Sequence, residues 1–351
     1  MAGTPAKGIA GNVGPGGASW GPSILRSIPM EPEVIRTKRP ALGEGRLRRG
    51  WTALALLLVG TSCQSMESAE SPPEPSERRL RVLAYNVYYV FDHGKEVEAG
   101  SAWIREQAPD LVALQELTNI QEERLEELAA GWGHEHAALL KTSGFSVGLT
   151  SAKEIVVVDR LLEGLHHGCL HAQVDGIHVF VVHLSPFRWE VRRDEARLLL
   201  AHIGPLLEAG QEVLVLGDFH ALSSSDCALL EAQPEVLEKA RASDAKHGHV
   251  TNLRDGALDF SVMQAFLDAG LEDPALPFLE ARSDTRWTFT TGIWTDEKTT
   301  PPDTGTRIDF ILADPTLARA AQDAQVVRTG IVNRTSDHYP VLVDFARDVR
   351  R

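Results

Sequence analysis

Cysteine is scarce in this chain. Its 351 residues include three, Cys63, Cys169 and Cys227, too few for a disulfide framework. They form no Cys-x-x-Cys pair and no Cys/His spacing of the kind that holds structural zinc. Cys169 falls in a strand-like run and Cys227 in a helix-like run, so both are expected as small buried apolar residues. No internal repeat is present, and the apolar run Trp51–Val59 is too short to cross a bilayer comfortably. Positive charge is also in deficit. Residues 1–63 hold 8 Lys/Arg against 3 Asp/Glu, which leaves 27 basic and 46 acidic residues in the remainder. A body that acidic has no general electrostatic attraction for nucleic acid or anionic lipid, although a local basic patch stays open.

What is present is an ordinary globular composition, 43% hydrophobic and 24% charged. Residues 1–45 are rich in Gly, Pro and Ala without periodicity, and are expected to be a disordered or mis-annotated extension, with translation starting downstream. Residues 46–63 carry Arg46, Arg48 and Arg49, then the apolar run, then Gly60-Thr61-Ser62-Cys63. A basic stretch, a short apolar stretch and small residues describe an export signal. The ending resembles a bacterial lipobox, with Gly60 where that motif favours Leu. A lipidated Cys63 would tether the protein to a membrane after export, leaving it periplasmic or at the cell surface. An ordinary cleaved signal or a buried hydrophobic segment is the alternative. Residues 64–79, rich in Ser, Pro and Glu, have the composition of an extended tether.

From residue 80 to 348 strand and helix signals alternate without a linker, so one domain is expected, acting as a monomer. Strand-like runs are Leu80–Tyr89, Leu111–Gln115, Ser146–Thr150, Glu154–Val158, Gly168–Gln173, His178–His183, Glu212–Leu216, Arg286–Thr290, Arg307–Leu312 and Tyr339–Phe345. Helix-like runs are Val97–Gln107, Ile120–Ala130, Glu190–Leu207, Ser225–Ala232 and Leu258–Ala269. In the longest, Val191, Leu198, Leu199 and Ile203 lie near one face and Arg192, Arg193 and Glu195 toward another. Strand follows strand from 146 to 183 with little helix. That points to an α/β (α+β) domain of mixed sheets rather than a doubly wound parallel one.

Six polar stations sit inside or just after short apolar strands. They are Asn86 in RVLAYNVYYV, Glu116 in LVALQEL, His183 in VFVVHLSP, Asp218 with His220 in VLVLGDFHA, Asp309 in RIDFILAD, and Ser336-Asp337-His338 before the last strand. Carboxylates and imidazoles at strand ends converge on one cleft and suit a hard cation, the pattern of a metal-dependent hydrolase. Each station alone has a plain structural explanation, such as a capped strand end or an ion pair. Together, in this order, they carry more weight.

The order and flanks resemble the endonuclease/exonuclease/phosphatase superfamily, over roughly Leu80 to Phe345. The resemblance implies a four-layer α/β sandwich, with two mostly antiparallel sheets face to face and helices outside. It also implies hydrolysis of a phosphoester, a phosphodiester ahead of a monoester, with Mg2+ or Mn2+. In that reading Glu116 is the metal ligand with Asn86 beside it, and Asp337 lies at the metal or its water shell. Asp218 positions or deprotonates the attacking water, His183 contacts the phosphoryl group, and Asp309 orients His338. The rivals are a secreted nuclease, which the acidic balance disfavours, and a degenerate binding module of the same fold.

One position departs from the family pattern: His220 stands where Asn is usual. Three roles are open to it: the same donor role as Asn, an added metal ligand, or reduced activity; the first is preferred here. His166, His167, His171 and His178 are expected on exposed strand faces or turns. Arg188, Arg192, Arg193 and Arg197 are expected on a solvated helix face. Trp287 and Phe289 are expected as core or cleft wall, and the loops 134–144, 246–256 and 294–305 as the determinants of specificity.

Overall fold

A computed structural model describes residues 78–282, 286–294, 302 and 304–347. The extension, export signal, Cys63 and the tether up to residue 77 lie outside the described residues, as does most of the 294–305 loop. The first strand opens at Arg78, two residues before the expected domain start.

The strands are β1 (Arg78–Asn86), β2 (Leu111–Thr118), β3 (His136–Leu139), β4 (Phe145–Ser151), β5 (Val156–Leu161), β6 (Cys169–Val174), β7 (Ile177–His183), β8 (Val213–Asp218), β9 (Leu253–Arg254), β10 (Ala257–Leu258), β11 (Asp309–Ala313), β12 (Ala321–Val326) and β13 (Val341–Arg347). One sheet runs β12-β13-β1-β2-β4-β3 and the other β11-β8-β7-β6-β5, while β9 and β10 form a separate hairpin. Among the described strands of the two sheets, β1/β2 and β7/β8 pair in parallel and the other pairs are antiparallel.

Side-chain alternation builds the layers. Val82 and Ala84 of β1 join Leu214 and Leu216 of β8 in the core between the sheets. Leu83 and Tyr85 point the other way, onto Trp103, Ile104, Leu125 and Leu128 of the helices Val97–Gln107 and Glu122–Gly131. Phe180 and Val215 likewise meet Leu199, Ile203 and Phe266 of the helices Trp189–Glu208 and Ser261–Asp268. Both faces of each central strand are therefore covered, which is why these strands read as unbroken apolar runs. Each Val, Leu or Phe so buried contributes about 1.5–3 kcal/mol relative to exposure. The result is the expected four-layer sandwich.

Several local expectations change. The strand from Leu80 ends at Asn86, not Tyr89, because Tyr88 to His93 all take positive φ, from 41° to 62°. Residues 286–290 form no ladder; Phe289 alone bridges, to Thr306 and His338. The edge strand β12 was missed because its sequence, AQDAQV, buries only Ala324. The helix Pro234–Lys246 was missed for a related reason: it buries none of its residues, so no apolar stripe marks it. In the helix Trp189–Glu208 the assumed face is rotated. Arg192 and Glu195 are buried with Ala196, Leu199 and Ile203, whereas Val191 and Leu198 are exposed. Glu195 accepts from the Ser185 and His166 backbone N–H groups (2.8 and 2.6 Å), and Arg192 donates to the Ser185 carbonyl (3.0 Å). Polar residues enter this layer because they tie down the chain that leaves β7.

Candidate active site

Strand register brings the stations together. His183 ends β7 and pairs with Asp218, which ends β8, and Asp218 pairs in turn with Asp309, the first residue of β11. Three site residues thus lie in one row across adjacent strands, about 4.7–4.9 Å from strand to strand. Asn86 ends β1 and pairs with Gln115 in the opposing sheet. Its Nδ2 donates to Asp218 Oδ2 (3.1 Å), so the site joins the two sheets at one end of the sandwich.

Glu116 reaches the same place by a bulge. The β2/β4 register shifts between Leu114 and Leu117, and Glu116 takes φ 61°. The bulge turns its carboxylate out of the ladder. There Oε1 accepts from Asn86 Nδ2 (3.4 Å) and Oε2 from the Tyr89 N–H (3.1 Å), while Asn86 Oδ1 accepts from the Tyr88 N–H (3.1 Å). The left-handed run after β1 aims these two amides. Asn86 therefore presents its amide nitrogen to both carboxylates and its oxygen to the backbone. Gly217 is required next to Asp218: its φ is 137°, and a Cβ there would collide with the Val182 carbonyl.

His338 is held at both ends. Its Nδ1 meets Asp309 Oδ2 at 2.9 Å, and its Nε2 lies 3.6 Å from Asp218 Oδ2 and 4.0 Å from Asp337 Oδ1. Ser336 positions the turn, donating to the Asn86 carbonyl (2.6 Å) and accepting from the His338 N–H (3.0 Å). Phe289 packs against the imidazole with ring centres 5.0 Å apart. His183 and His220 face each other through their Nε2 atoms at 3.2 Å, with Asp218 Oδ2 at 3.7 and 3.4 Å.

Burial sets the protonation states. It drives the Asp218 carboxyl up to about 8, with Asp309 adding to the rise and His338 opposing it. Burial disfavours a charge on His338, but Asp309 and Asp218 outweigh it and hold the imidazolium well above the usual range. His183 and His220 are pushed well below that range, first by burial and then by neighbouring imidazoles. Glu116 is raised by burial and by Asp337, and Asp337 is itself raised by burial. Asp337 Oδ1 is buried without a hydrogen-bond partner, and among the described residues no Lys or Arg pairs with either carboxylate. Two crowded, under-neutralised carboxylates are a donor set that fits a hard divalent cation.

All eight predicted site residues, Asn86, Glu116, His183, Asp218, His220, Asp309, Asp337 and His338, converge here. His167 lies in the turn before β6, one of the places expected for it, but not exposed. It is buried, stacks on His183 (ring centres 4.1 Å apart, 19° between planes), and is depressed to about 3 by burial, then by His166 and Lys141. His171 is also buried, against Phe180, and bonds His178 at 2.9 Å. Trp287 is core and Phe289 is cleft wall, as expected, while Cys169 is buried and Cys227 only half-buried. Within the 134–144 segment His134 is buried, bonding Thr150 Oγ1 (2.8 Å) and the Pro109 carbonyl (2.9 Å), so that end is structure rather than a specificity loop. Beside His220 lies a cavity of about 330 Å³, walled by Leu222, Val236, Ala240, Asn252 and Phe289. The helix Pro234–Lys246, for which the sequence carried no apolar signal, thus forms one side of the site.

Comparison with known structures agrees with this architecture. An AP endonuclease from Archaeoglobus fulgidus superposes with TM-score 0.52 at 19% identity, covering 76% of this chain and 99% of that one. A 3'-5' exonuclease from Neisseria meningitidis gives TM-score 0.56 at 19% identity, covering 76% and 100%. An endonuclease/exonuclease/phosphatase from Beutenbergia cavernae gives 0.50 at 19% identity, covering 77% and 72%. No curated protein matches the sequence. The family model described as Endonuclease/Exonuclease/phosphatase family matches residues 101–338, a span that takes in every site residue except Asn86. With more than half its length in that match and the sandwich and strand-end site in place, the chain belongs to the endonuclease/exonuclease/phosphatase family.

Proposed function

We propose that the protein is a phosphoester hydrolase dependent on a divalent cation, Mg2+ or Mn2+, and that it acts on phosphodiesters in preference to monoesters. The observation that carries this reading is the buried Asp309–His338 pair aimed at Asp218, beside the crowded Glu116 and Asp337 carboxylates. Glu116 and Asp337 would hold the cation, which supplies positive charge to a phosphoryl oxygen as negative charge builds there. Asn86, which donates to both Glu116 and Asp218, keeps the two carboxylates in fixed relation.

Asp218, fully buried and a strong base once ionised, takes a proton from the attacking water. The water oxygen bonds to phosphorus as the bond to the leaving oxygen breaks. His338, charged and oriented by Asp309, directs its Nε2–H toward the charge that develops. His183 and His220 approach the same Asp218 oxygen, Oδ2, at 3.7 and 3.4 Å. No covalent nucleophile is needed.

The AP endonuclease and the 3'-5' exonuclease above act on nucleic acid, as their names say. The balance of 27 basic to 46 acidic residues after Cys63 argues for a smaller phosphoester here. Export and a lipid tether at Cys63 complete the proposal, supported by the Arg46–Cys63 pattern, with a monomer as the working unit. The test is turnover of bis-p-nitrophenyl phosphate with Mg2+ or Mn2+, lost in His338→Ala and Glu116→Ala. A panel of DNA, RNA, phosphoinositides and sphingomyelin then assigns the substrate. No turnover on any of these would favour the binding-module reading. Metabolic labelling with palmitate, absent in Cys63→Ala, tests the tether.

A further inference from the structure

His220 departs from the family pattern, and its geometry is not that of a hydrogen-bond donor standing in for Asn. Three potential ligand atoms surround one point: His183 Nε2, His220 Nε2 and Asp218 Oδ2, spaced 3.2, 3.4 and 3.7 Å apart. A tetrahedral ion with bonds of about 2.0–2.1 Å needs edges of about 3.3–3.5 Å between its ligands. An octahedral Mg2+ with bonds of the same length needs shorter edges, about 2.9 Å, and prefers oxygen to imidazole. Spacing and donor type therefore select the same class of metal.

From this geometry we propose that His183, Asp218 and His220 form a second metal site, for Zn2+ or a similar borderline transition metal, separate from the hard-cation site at Glu116 and Asp337. The inference rests on the phosphohydrolase reading for its role, since two ions sharing this cleft would bear on one phosphoryl group; with the second ion bound, Asp218 would serve as its ligand, and the base role given above belongs to the protein without that ion. Three protein ligands leave the fourth position for water or a phosphoryl oxygen, the open arrangement of catalytic zinc.

The surroundings hold each ligand in place. Asp218 is fixed by the His220 N–H on Oδ1 (2.9 Å) and Asn86 Nδ2 on Oδ2 (3.1 Å). His183 is clamped by the His167 ring, and its buried Nδ1 has no partner among the described residues, so its polar contacts are all made at the Nε2 edge. His220 takes φ 47°, a strained backbone that turns its ring back over Asp218. The two Nε2 atoms could share one N–H···N bond, but each sits too far from the carboxylate for a good N–H···O bond. The three separations average about 3.4 Å, so an ion at the centre would need shifts of only a few tenths of an ångström to bind all three atoms.

The test uses the metal-stripped protein titrated with Co2+ as a spectroscopic probe for Zn2+. One tight equivalent with intense tetrahedral visible absorption is expected, displaced by Zn2+. The signal should persist in Glu116→Gln, and Co2+ should bind at least about 100-fold more weakly in His220→Asn, which restores the family residue. His183→Gln should behave like His220→Asn, with near-UV circular dichroism confirming that both variants fold. Weak octahedral absorption, or binding lost in Glu116→Gln but kept in His220→Asn, overturns the proposal. Mg2+-dependent turnover of bis-p-nitrophenyl phosphate is measured in parallel, and its absence would count against the hydrolase reading while leaving the Co2+ result to stand or fall separately.

Discussion

Replacing Asp218 by Asn should stabilise the metal-free protein while destroying activity, and the gain should depend on pH. Asp218 is fully buried, and its folded pKa of about 8 stands above the ordinary value of 3.8. Across that interval the folded state keeps a proton that the unfolded chain releases. The group's contribution to stability is therefore complete below about pH 4 and is lost progressively as pH rises through 8. At about 1.4 kcal/mol per pH unit, the loss approaches about 5–6 kcal/mol above pH 8. Asn carries no such cost. It does lose an acceptor for Asn86 Nδ2, about 1–3 kcal/mol, and removes one of the carboxylates that balance His338. A net gain of about 1–3 kcal/mol at pH 8 follows, or roughly 2–5 °C in Tm for a domain of this length. Thermal unfolding of both proteins in EDTA, followed by circular dichroism from pH 4 to 9, measures it. A variant less stable than wild type at pH 8, or a difference that does not change with pH, would refute the reasoning.

Three further outcomes are expected. Asp309→Asn should lower kcat by about 100-fold or more with little change in KM, because it removes the negative charge that holds His338 protonated and lets an amide N–H compete for the place of the acceptor at Nδ1, and the pH-rate profile should shift with it. Asp226→Ala should cost about 3–5 kcal/mol in urea unfolding, since it removes the carboxylate shared by two buried guanidiniums, Arg307 (2.9 Å) and Arg286 (2.8 Å); a loss below 1 kcal/mol would show that Asp273 and Glu280 suffice for them. Gly217→Ala should reduce both Tm and turnover, because the added methyl meets the Val182 carbonyl; an unchanged Tm would mean that β7 and β8 can separate freely.

The legible parts of the fold were those under strong apolar patterning. The helix Val97–Gln107 has the bounds read from sequence, and β1, β2, β7, β8, β11 and β13 lie where Val, Ile and Leu cluster. What escaped had weak patterning. β12 and the helix Pro234–Lys246 bury almost nothing, so neither carries a period to read. The rotated face of the helix Trp189–Glu208 escaped for the opposite reason. Arg192 and Glu195 look like solvent residues, but they are buried to satisfy the backbone at Ser185 and His166. His167 likewise looked like a surface imidazole until the turn before β6 laid it on His183.

The sequence alone picked out the eight polar side chains that meet at the site, since they lie inside or beside apolar strands that must be buried and occur in one recognisable order. It also marked His220 as the departure. Only the tertiary structure decided what they do together. Strand register set His183, Asp218 and Asp309 in one row, the bulge at Glu116 turned a carboxylate out of its ladder, and sheet packing brought Asn86 onto Asp218. Protonation followed from that closeness and burial, which raised Asp218 and His338 and lowered His183 and His220. Distances of 2.9 to 3.4 Å between residues 29 to 132 positions apart are properties of packing, and no local pattern encodes them.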